Sequence, residues 1–492
     1  MKLLRTLALL LAGALCLLLV VVAVNAGRAA PAQPAGRAQA AEPAHADALQ
    51  RLSGALKFRT VSVAEDAEAN ADEFRAFHAY LERSFPRVHA QLRREQFGRS
   101  LLFTWTGSDA ALKPALWSAH QDVVPVSADS RARWTHDPFG GEVTGGFVWG
   151  RGAWDNKGSL LAQLEAVERL LAQGWAPRRT LLLAFGHDEE TGGEHGAGSI
   201  AAVLKARGAR LDYVLDEGLV VTQGVLKAIA RPVAMVGIAE KGYASVRISV
   251  EGASGHSSVP PARTSIDVLA RAVGRINDST VPAKLDGVAR EMMVALGPEL
   301  PLVQRALMSN LWLFDGLVAS QLAKAPLTNA MLRTTTATTL FHAGDKENVL
   351  PGNARAVINA RLLPGDSPQK LMERLRNAVA DESIRLELLP GSLADPSAVS
   401  STSTPAYRAI EQSVRDVFAD VVVAPALVMG GTDSKHYAAI ADAVYRFQPV
   451  HVMAGDVARY HGIDERVSSA NYAQMIAFYE KVLRNEQAGS LH

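Results

Sequence analysis

The stretch Gly186-His187-Asp188-Glu189-Glu190-Thr191-Gly192-Gly193 follows the apolar run Thr180-Leu181-Leu182-Leu183-Ala184-Phe185. A short apolar run of this kind makes a strand buried on both faces. The glycines that close the stretch let the backbone turn sharply. Two adjacent glutamates at the end of a buried strand resist joint ionisation, and a bound cation or a shared proton relieves that cost. Neighbouring side chains in a strand point to opposite faces. Both glutamates therefore serve one site only where the chain has begun to turn. Taken alone, the pair reads first as a solvated acidic turn, and the surrounding chain is what changes that reading.

Working outward, strands and helices alternate. The run Pro114–Ala119 ends in His120-Gln121-Asp122, and Gly150-Arg151-Gly152-Ala153-Trp154-Asp155-Asn156-Lys157-Gly158 opens a helix predicted over 159–173. A further strand over 211–215 ends at Asp216-Glu217-Gly218. Such alternation argues for an α/β fold with a mostly parallel sheet flanked by helices. Sites in such sheets form at the carboxyl ends of the strands, where His120, Glu189, Glu190 and Asp216 all fall.

The pattern changes after about residue 240. Residues 243–251 alternate, with Val246, Ile248 and Val250 on one face, as a half-exposed strand does. Residues 281–326 are apolar, rich in Met and Leu, and read as mainly helical. Strands at 336–342, 354–363 and 384–389 and a helix from 368 complete an inserted α+β lid or dimerisation domain over 241–395. The catalytic domain is then split into 44–240 and 396–485, with a helix near 405–418, an apolar run at 421–428 and a closing helix over 470–484.

Lys2 and Arg5 precede an unbroken apolar run from Leu7 to Val24. Residues 1–26 read either as a cleaved export signal or as a retained anchor through 7–24, and 27–43 as a flexible linker. The body is expected to be periplasmic or extracellular, or anchored with its mass outside the cytoplasm. The net charge of +1 gives nucleic-acid binding no electrostatic support. The single cysteine, Cys16, lies in the apolar run. A metal site in the body must then use His, Asp and Glu, a donor set suited to open catalytic centres.

His120, Asp122, Asp155, Glu189, Glu190, Asp216 and His461 each fall at a predicted strand end or turn. Together they match two divalent cations sharing a carboxylate and clamping a hydrolytic water. Imidazole with carboxylate suits zinc, and cobalt or manganese also fit. The sequence resembles the co-catalytic dizinc exopeptidases and deacylases, among them carboxypeptidase S, glutamate carboxypeptidase, aminoacylase and N-fatty-acyl-amino-acid synthase/hydrolase. The resemblance runs from about residue 45 onward and rests on Arg59-Thr60-Val61-Ser62, Ser118–Val126, Gly150–Gly158 and the opening stretch. Aspartate at 216 places it nearest the carboxypeptidase S branch.

The resemblance implies that Asp155 bridges two zinc ions, with His120 and Asp216 completing one site and Glu190 and His461 the other. It implies Glu189 as general base and Asp122 as the group that orients His120. In the inserted domain it implies that His256 stabilises the oxyanion, in relatives often across a dimer, while Asn348 and Arg361 hold a substrate carboxylate. A turn-capping role for His256 and a surface ion pair for Arg361 are the competing readings. Gly430 and Gly431 would allow close approach of the substrate backbone. Asp188 and Glu217 are expected to have no direct role.

The expected activity is hydrolysis of an amide bond beside a free carboxylate, in a small peptide or an N-acyl amino acid. A dizinc aminopeptidase or dipeptidase, and a catalytically silent tethered metal-binding protein, are the alternatives. A homodimer through the inserted domain is also expected.

Overall fold

The computed structural model describes residues 2–28, 33, 46–64, 66 and 68–489. Of the expected linker, residues 29–32 and 34–43 lie outside the described residues. Helix α1 (Lys2–Arg28) carries the amino-terminal apolar run.

An eight-stranded sheet forms the larger core. Its strands are β1 (Arg93–Phe97), β2 (Ser100–Trp105), β3 (Ala115–His120), β4 (Leu181–Gly186), β5 (Leu211–Gln223), β6 (Val233–Glu240), β11 (Val422–Val428) and β12 (Ala441–Met453). Their spatial order is β1-β2-β4-β3-β5-β12-β6-β11. The central neighbours β4, β3, β5 and β12 run parallel. Every residue of β3 and β4 is buried, as continuous apolar runs covered on both faces should be. The register pairs Leu116 with Leu182 and His120 with Gly186, so both strands deliver their ends to one edge.

Helices α2 (Lys157–Ala172) and α11 (Ser469–Gly489) cover one face, where Trp117, Leu183, Tyr213 and Ile476 share a core. Helix α3 (Ala197–Ala206) covers the other, with Leu116, Leu182, Val214 and Ile200 in contact.

Strands β6 and β12 are not foreseen in the sequence reading. A parallel sheet leads one to expect a helix after each strand, but β5 returns directly to β6 as an antiparallel neighbour, with Val221 opposite Ala234. In β12 the buried Arg446 and Gln448 break the apolar run.

The second sheet is antiparallel, ordered β8-β9-β7-β10, from β7 (Gly242–Glu251), β8 (Thr335–Ala343), β9 (Asn353–Leu362) and β10 (Ile384–Ala394). Helices α4 (Ser265–Asp278) and α9 (Pro368–Val379) bury Leu269, Ile276, Leu371 and Leu375 against Val246, Ile248, Val250 and Ile358. A capping box of Thr264 and Asp267 starts α4.

The apolar stretch between them divides. Helix α5 (Gly287–Leu296) lays Met292 and Leu296 on Val422, Ala424 and Ala426 of β11, against the large sheet rather than the small one. Helices α6 (Leu302–Met308), α7 (Leu311–Leu322) and α8 (Pro326–Leu332) gather around Leu311, Val318 and Leu332. Helix α10 (Pro405–Val417) leads into β11.

Candidate metal centre and active site

Strand ends and two loops converge on Asp155. His120 closes β3 and puts Nε2 3.0 Å from Asp155 Oδ1, while His461 Nε2 lies 2.7 Å from Asp155 Oδ2. One carboxylate thus faces two imidazoles through separate oxygens. Glu190 Oε2 is 3.6 Å from His461 Nε2, and Glu217 Oε1 is 3.2 Å from His120 Nε2. Donor atoms of His120, Asp155 and Glu190 lie within 4.8 Å of one another, and so do those of His120, Glu189 and Glu217.

The turn foreseen after β4 is present. A single 3₁₀ turn at Glu189–Thr191 follows the strand, and Gly192 and Gly193 take φ of 115° and 76°. Both glutamates thereby leave the alternation of the strand and reach one site. Asp122 holds that turn in place. Its carboxylate accepts the backbone N–H of Glu189 at 3.2 Å and of Glu190 at 3.1 Å. Its own carbonyl lies 2.9 Å from His120 Nδ1, nearer than its carboxylate at 3.3 Å. The imidazole is therefore oriented through the main chain of Asp122 as well as its side chain.

Carboxylates crowded out of water perturb one another. Burial, with Asp155 close by, pushes Glu190 up to about 7. Burial and Asp155 likewise push Glu217 up to about 8. Burial holds Glu189 well above the usual carboxylate range. His120 is held well above its ordinary value: Glu217, Asp122 and Asp155 together outweigh the opposing effect of its burial. Glu190 Oε1 is buried with no hydrogen-bond partner. An oxygen left bare beside three other carboxyls and two imidazoles fits a donor set for divalent cations, which relieve such repulsion.

Asp216 and Glu217 are placed differently. Strand β5 pairs irregularly with β12 between Asp216 and Leu219, where Gly218 takes φ of 139°. There Glu217 faces His120, with its other oxygen accepting Asn156 Nδ2 at 2.5 Å. Asp216 instead turns toward Thr432, Glu240 and Arg446, and its Oδ2 is buried without a partner. Glu217, for which the sequence suggests no direct role, occupies the cluster.

Two further groups escaped that reading. Glu465 is fully buried, pairs with Arg151 Nη1 at 2.6 Å and accepts the backbone N–H groups of Gly152, Trp154 and Asp155 at 2.8–3.0 Å. Arg151 also donates to the carbonyls of His461 and Gly462. The pair ties the Asp155 loop to the His461 turn, where His461 takes φ of 54° and stacks on Tyr460. Its only signal in sequence is a glutamate four residues past the histidine. Asp433 is the other: its buried carboxylate packs against Gly186 and Gly193, where an added Cβ would lie 2.5 Å or less from its oxygens. The Arg59–Ser62 segment clamps the same region, with Thr60 Oγ1 donating to the Gln121 carbonyl and Ser62 Oγ to that of His187.

The small sheet carries the remaining expected residues. His256 is exposed, pairs across a two-residue ladder with Val349 next to Asn348, and accepts the Ser258 N–H through Nδ1. That is the geometry of a turn cap. Arg361 lies in β9 with its guanidinium 4.7 Å over the Tyr243 ring; burial, and this guanidinium nearby, depress the Lys241 ammonium. Among the described residues Arg361 makes no ion pair, while Asn359 donates to Ser245 Oγ at 3.2 Å. No hydrogen bond or ion pair among the described residues joins His256, Asn348 or Arg361 to the Asp155 cluster. Gly430 and Gly431 follow β11 with open space around them, and neither has positive φ.

Comparison with known proteins follows the same lines. Residues 116–485 match Peptidase family M20/M25/M40. The chain is 40% identical over 449 residues to N-fatty-acyl-amino acid synthase/hydrolase PM20D1.1 of Danio rerio, covering 90% of this chain and 86% of that protein. It is 38% identical to probable carboxypeptidase S-like 2 of Dictyostelium discoideum, covering 89% and 85%. In fold it is similar to the M20 family metallo-carboxypeptidase Sso-CP2 of Sulfolobus solfataricus, with a TM-score of 0.62, 19% identity and coverage of 90% and 99%.

Proposed function

We propose that this chain, which belongs to Peptidase family M20/M25/M40 and is a metal-dependent amide hydrolase, uses two zinc ions to cleave an amide beside a free carboxylate. The preferred substrate class is the N-acyl amino acid. The observation that carries the reading is Asp155, which presents one oxygen to His120 and the other to His461. His120, Asp155, Glu190, His461 and Glu217 would hold the cations. When bound, the ions supply Lewis acidity that polarises the amide carbonyl and acidifies a water.

The remaining work falls to side chains. Glu189 reaches the cluster without being needed as a bridge, and its environment disfavours the charged form. A carboxylate whose charged form is disfavoured holds a proton more firmly, and it would accept one from water and later return it to the leaving amine. Arg361, with no carboxylate partner among the described residues, offers a two-pronged donor for the substrate carboxylate, and Asn348 would assist it. His256 would stabilise the oxyanion from a partner subunit, since its own chain leaves it exposed. Gly430 and Gly431 would border the substrate. We place the body outside the cytoplasm, tethered through α1.

Glu189→Gln is expected to keep its zinc and lose turnover by roughly 10²–10⁴-fold. Turnover at the unsubstituted rate would refute the role. Long-chain N-acyl amino acids are expected to be hydrolysed faster than dipeptides, and amino-blocked substrates to be accepted; a requirement for a free amine would assign the chain to the aminopeptidases.

A second reading concerns one ligand. The unpartnered buried oxygen of Asp216, adjacent to Glu217, favours Asp216 in the loaded enzyme. Zinc stoichiometry separates them: Glu217→Gln should lose an ion and Asp216→Asn should keep both, and the reverse result transfers the ligand to Asp216.

A further inference from the structure

Helix α1 is apolar enough to cross a bilayer and carries no charged residue between Thr6 and Gly27. The run Leu7–Val24 spans about 27 Å as a helix, close to the hydrocarbon thickness of a membrane. With Lys2 and Arg5 on the cytoplasmic side, Val22 and Asn25 fall at the outer boundary of that span.

The body meets α1 at this level. Asn25 Nδ2 donates to Asn310 Oδ1 at 2.8 Å, and Asn310 Nδ2 donates to the Val22 carbonyl at 3.1 Å. Asn310, which joins α6 to α7, is fully buried. Gln33 then pins the chain to the body, donating its backbone N–H to Glu299 and bridging the N–H and carbonyl of Val423 with its side-chain amide. The Asn310 contact sets the junction of α6 and α7 beside the outer end of α1.

At that height the helices are apolar outward as well as inward. Leu302, Val303, Trp312 and Leu327 are 60–70% exposed, and Leu313 and Leu317 are also solvent-facing. Residues 300–332 contain three charged side chains, Arg305, Asp315 and Lys324. Large apolar side chains exposed on three successive helices mark an interaction site, and tryptophan beside short apolar helices suits the headgroup boundary.

We propose that α6–α8 dock on the phospholipid bilayer that holds α1, inserting Leu302, Val303, Trp312 and Leu327 at the headgroup–acyl boundary. The docking rests on the reading of α1 as a retained tether. It holds the body against the membrane surface, where amphiphilic acyl substrates concentrate.

The test uses the full chain reconstituted in phosphatidylcholine vesicles. In a Cys16→Ala background, an environment-sensitive fluorophore is attached at Trp312→Cys, at Leu327→Cys and, as control, at Lys205→Cys on the exposed side of α3. The labels at 312 and 327 are expected to shift to the blue and to be quenched by nitroxide-bearing lipids, while the label at 205 stays water-like. Release of the protein by alkaline wash overturns the tether and the docking with it. Retention with unquenched labels at 312 and 327 overturns the docking alone. Labels shielded from water yet unquenched by lipid assign the surface to a second copy of the chain. Two positions keep the result readable should one variant fail to fold.

Discussion

At the scale of single residues, the centre depends on buried groups behind the donor set. Glu465 spends one carboxylate on three backbone N–H groups and the Arg151 guanidinium. Through Arg151 it sets the His461 turn relative to Asp155. Glu465→Gln keeps the volume but removes the charge that Arg151 faces in a buried site, and one amide oxygen cannot serve four donors. Outer partners of metal ligands commonly change affinity by about 10–100-fold when altered. Glu465→Gln is thus expected to weaken zinc binding by that order while KM for substrate at saturating zinc stays nearly constant. Zinc titration by competition with a chromophoric chelator measures it. Unchanged zinc affinity would show that Arg151 positions the two loops without its partner.

At the scale of elements, the helix over residues 71–84 is joined to the ends of β3 and β4 by one buried chain of hydrogen bonds. His78 Nε2 donates to Gln121 Oε1 at 2.7 Å, and Gln121 Nε2 donates to the carbonyls of Arg99 and Phe185. Burial depresses His78 to about 4 from an ordinary 6.5. The folded chain therefore keeps His78 neutral where the unfolded chain already binds a proton. Its contribution is fully present above pH 6.5 and is lost as the pH falls through 4, amounting to roughly 3 kcal/mol at most. His78→Gln is expected to flatten the fall in urea midpoint between pH 7 and pH 5. An equal fall in both proteins would place the acid sensitivity elsewhere.

Elements also show what was legible in the chain. Strands β3 and β4 could be read because burial on both faces leaves no alternative to an apolar run, and the Glu189–Glu190 turn because glycine marks it. Strand β12 could not, because the charge of the buried Arg446 is balanced by Glu240, 206 residues away in sequence, at 2.9 Å. His120, Asp155, Glu189, Glu190 and His461 lie together at the strand ends and the two turns. The placement of Asp216 and Glu217 follows a local irregularity opposite β12, a strand whose buried arginine hides it in sequence. Glu465 was invisible for a related reason: its partners are backbone N–H groups, which carry no signature in sequence.

At the scale of the molecule, the centre is the meeting point of distant segments. Asp155 and His461 are 306 residues apart, and the small sheet is built entirely from residues between them. Cations held by both would cross-link the β3 and β4 ends to the His461 turn, and a ligand that binds only the folded arrangement stabilises it by about 2.7 kcal/mol at a hundredfold excess over Kd. The core of the small sheet, around Val246, Ile248 and Ile358, shares no side chain with the cluster. Removing metal is therefore expected to loosen one part of the protein and leave the other intact. Hydrogen–deuterium exchange on chelator-treated Glu189→Gln, compared with the zinc-loaded variant, reads this without relying on turnover. Protection should fall in residues 120–123, 186–193 and 459–466 and persist through β7 and β9, with zinc restoring it. Equal loss across both sheets would mean that the cations stabilise the whole chain as one cooperative unit, and no loss would mean that Arg151 and Glu465 suffice to hold the centre together.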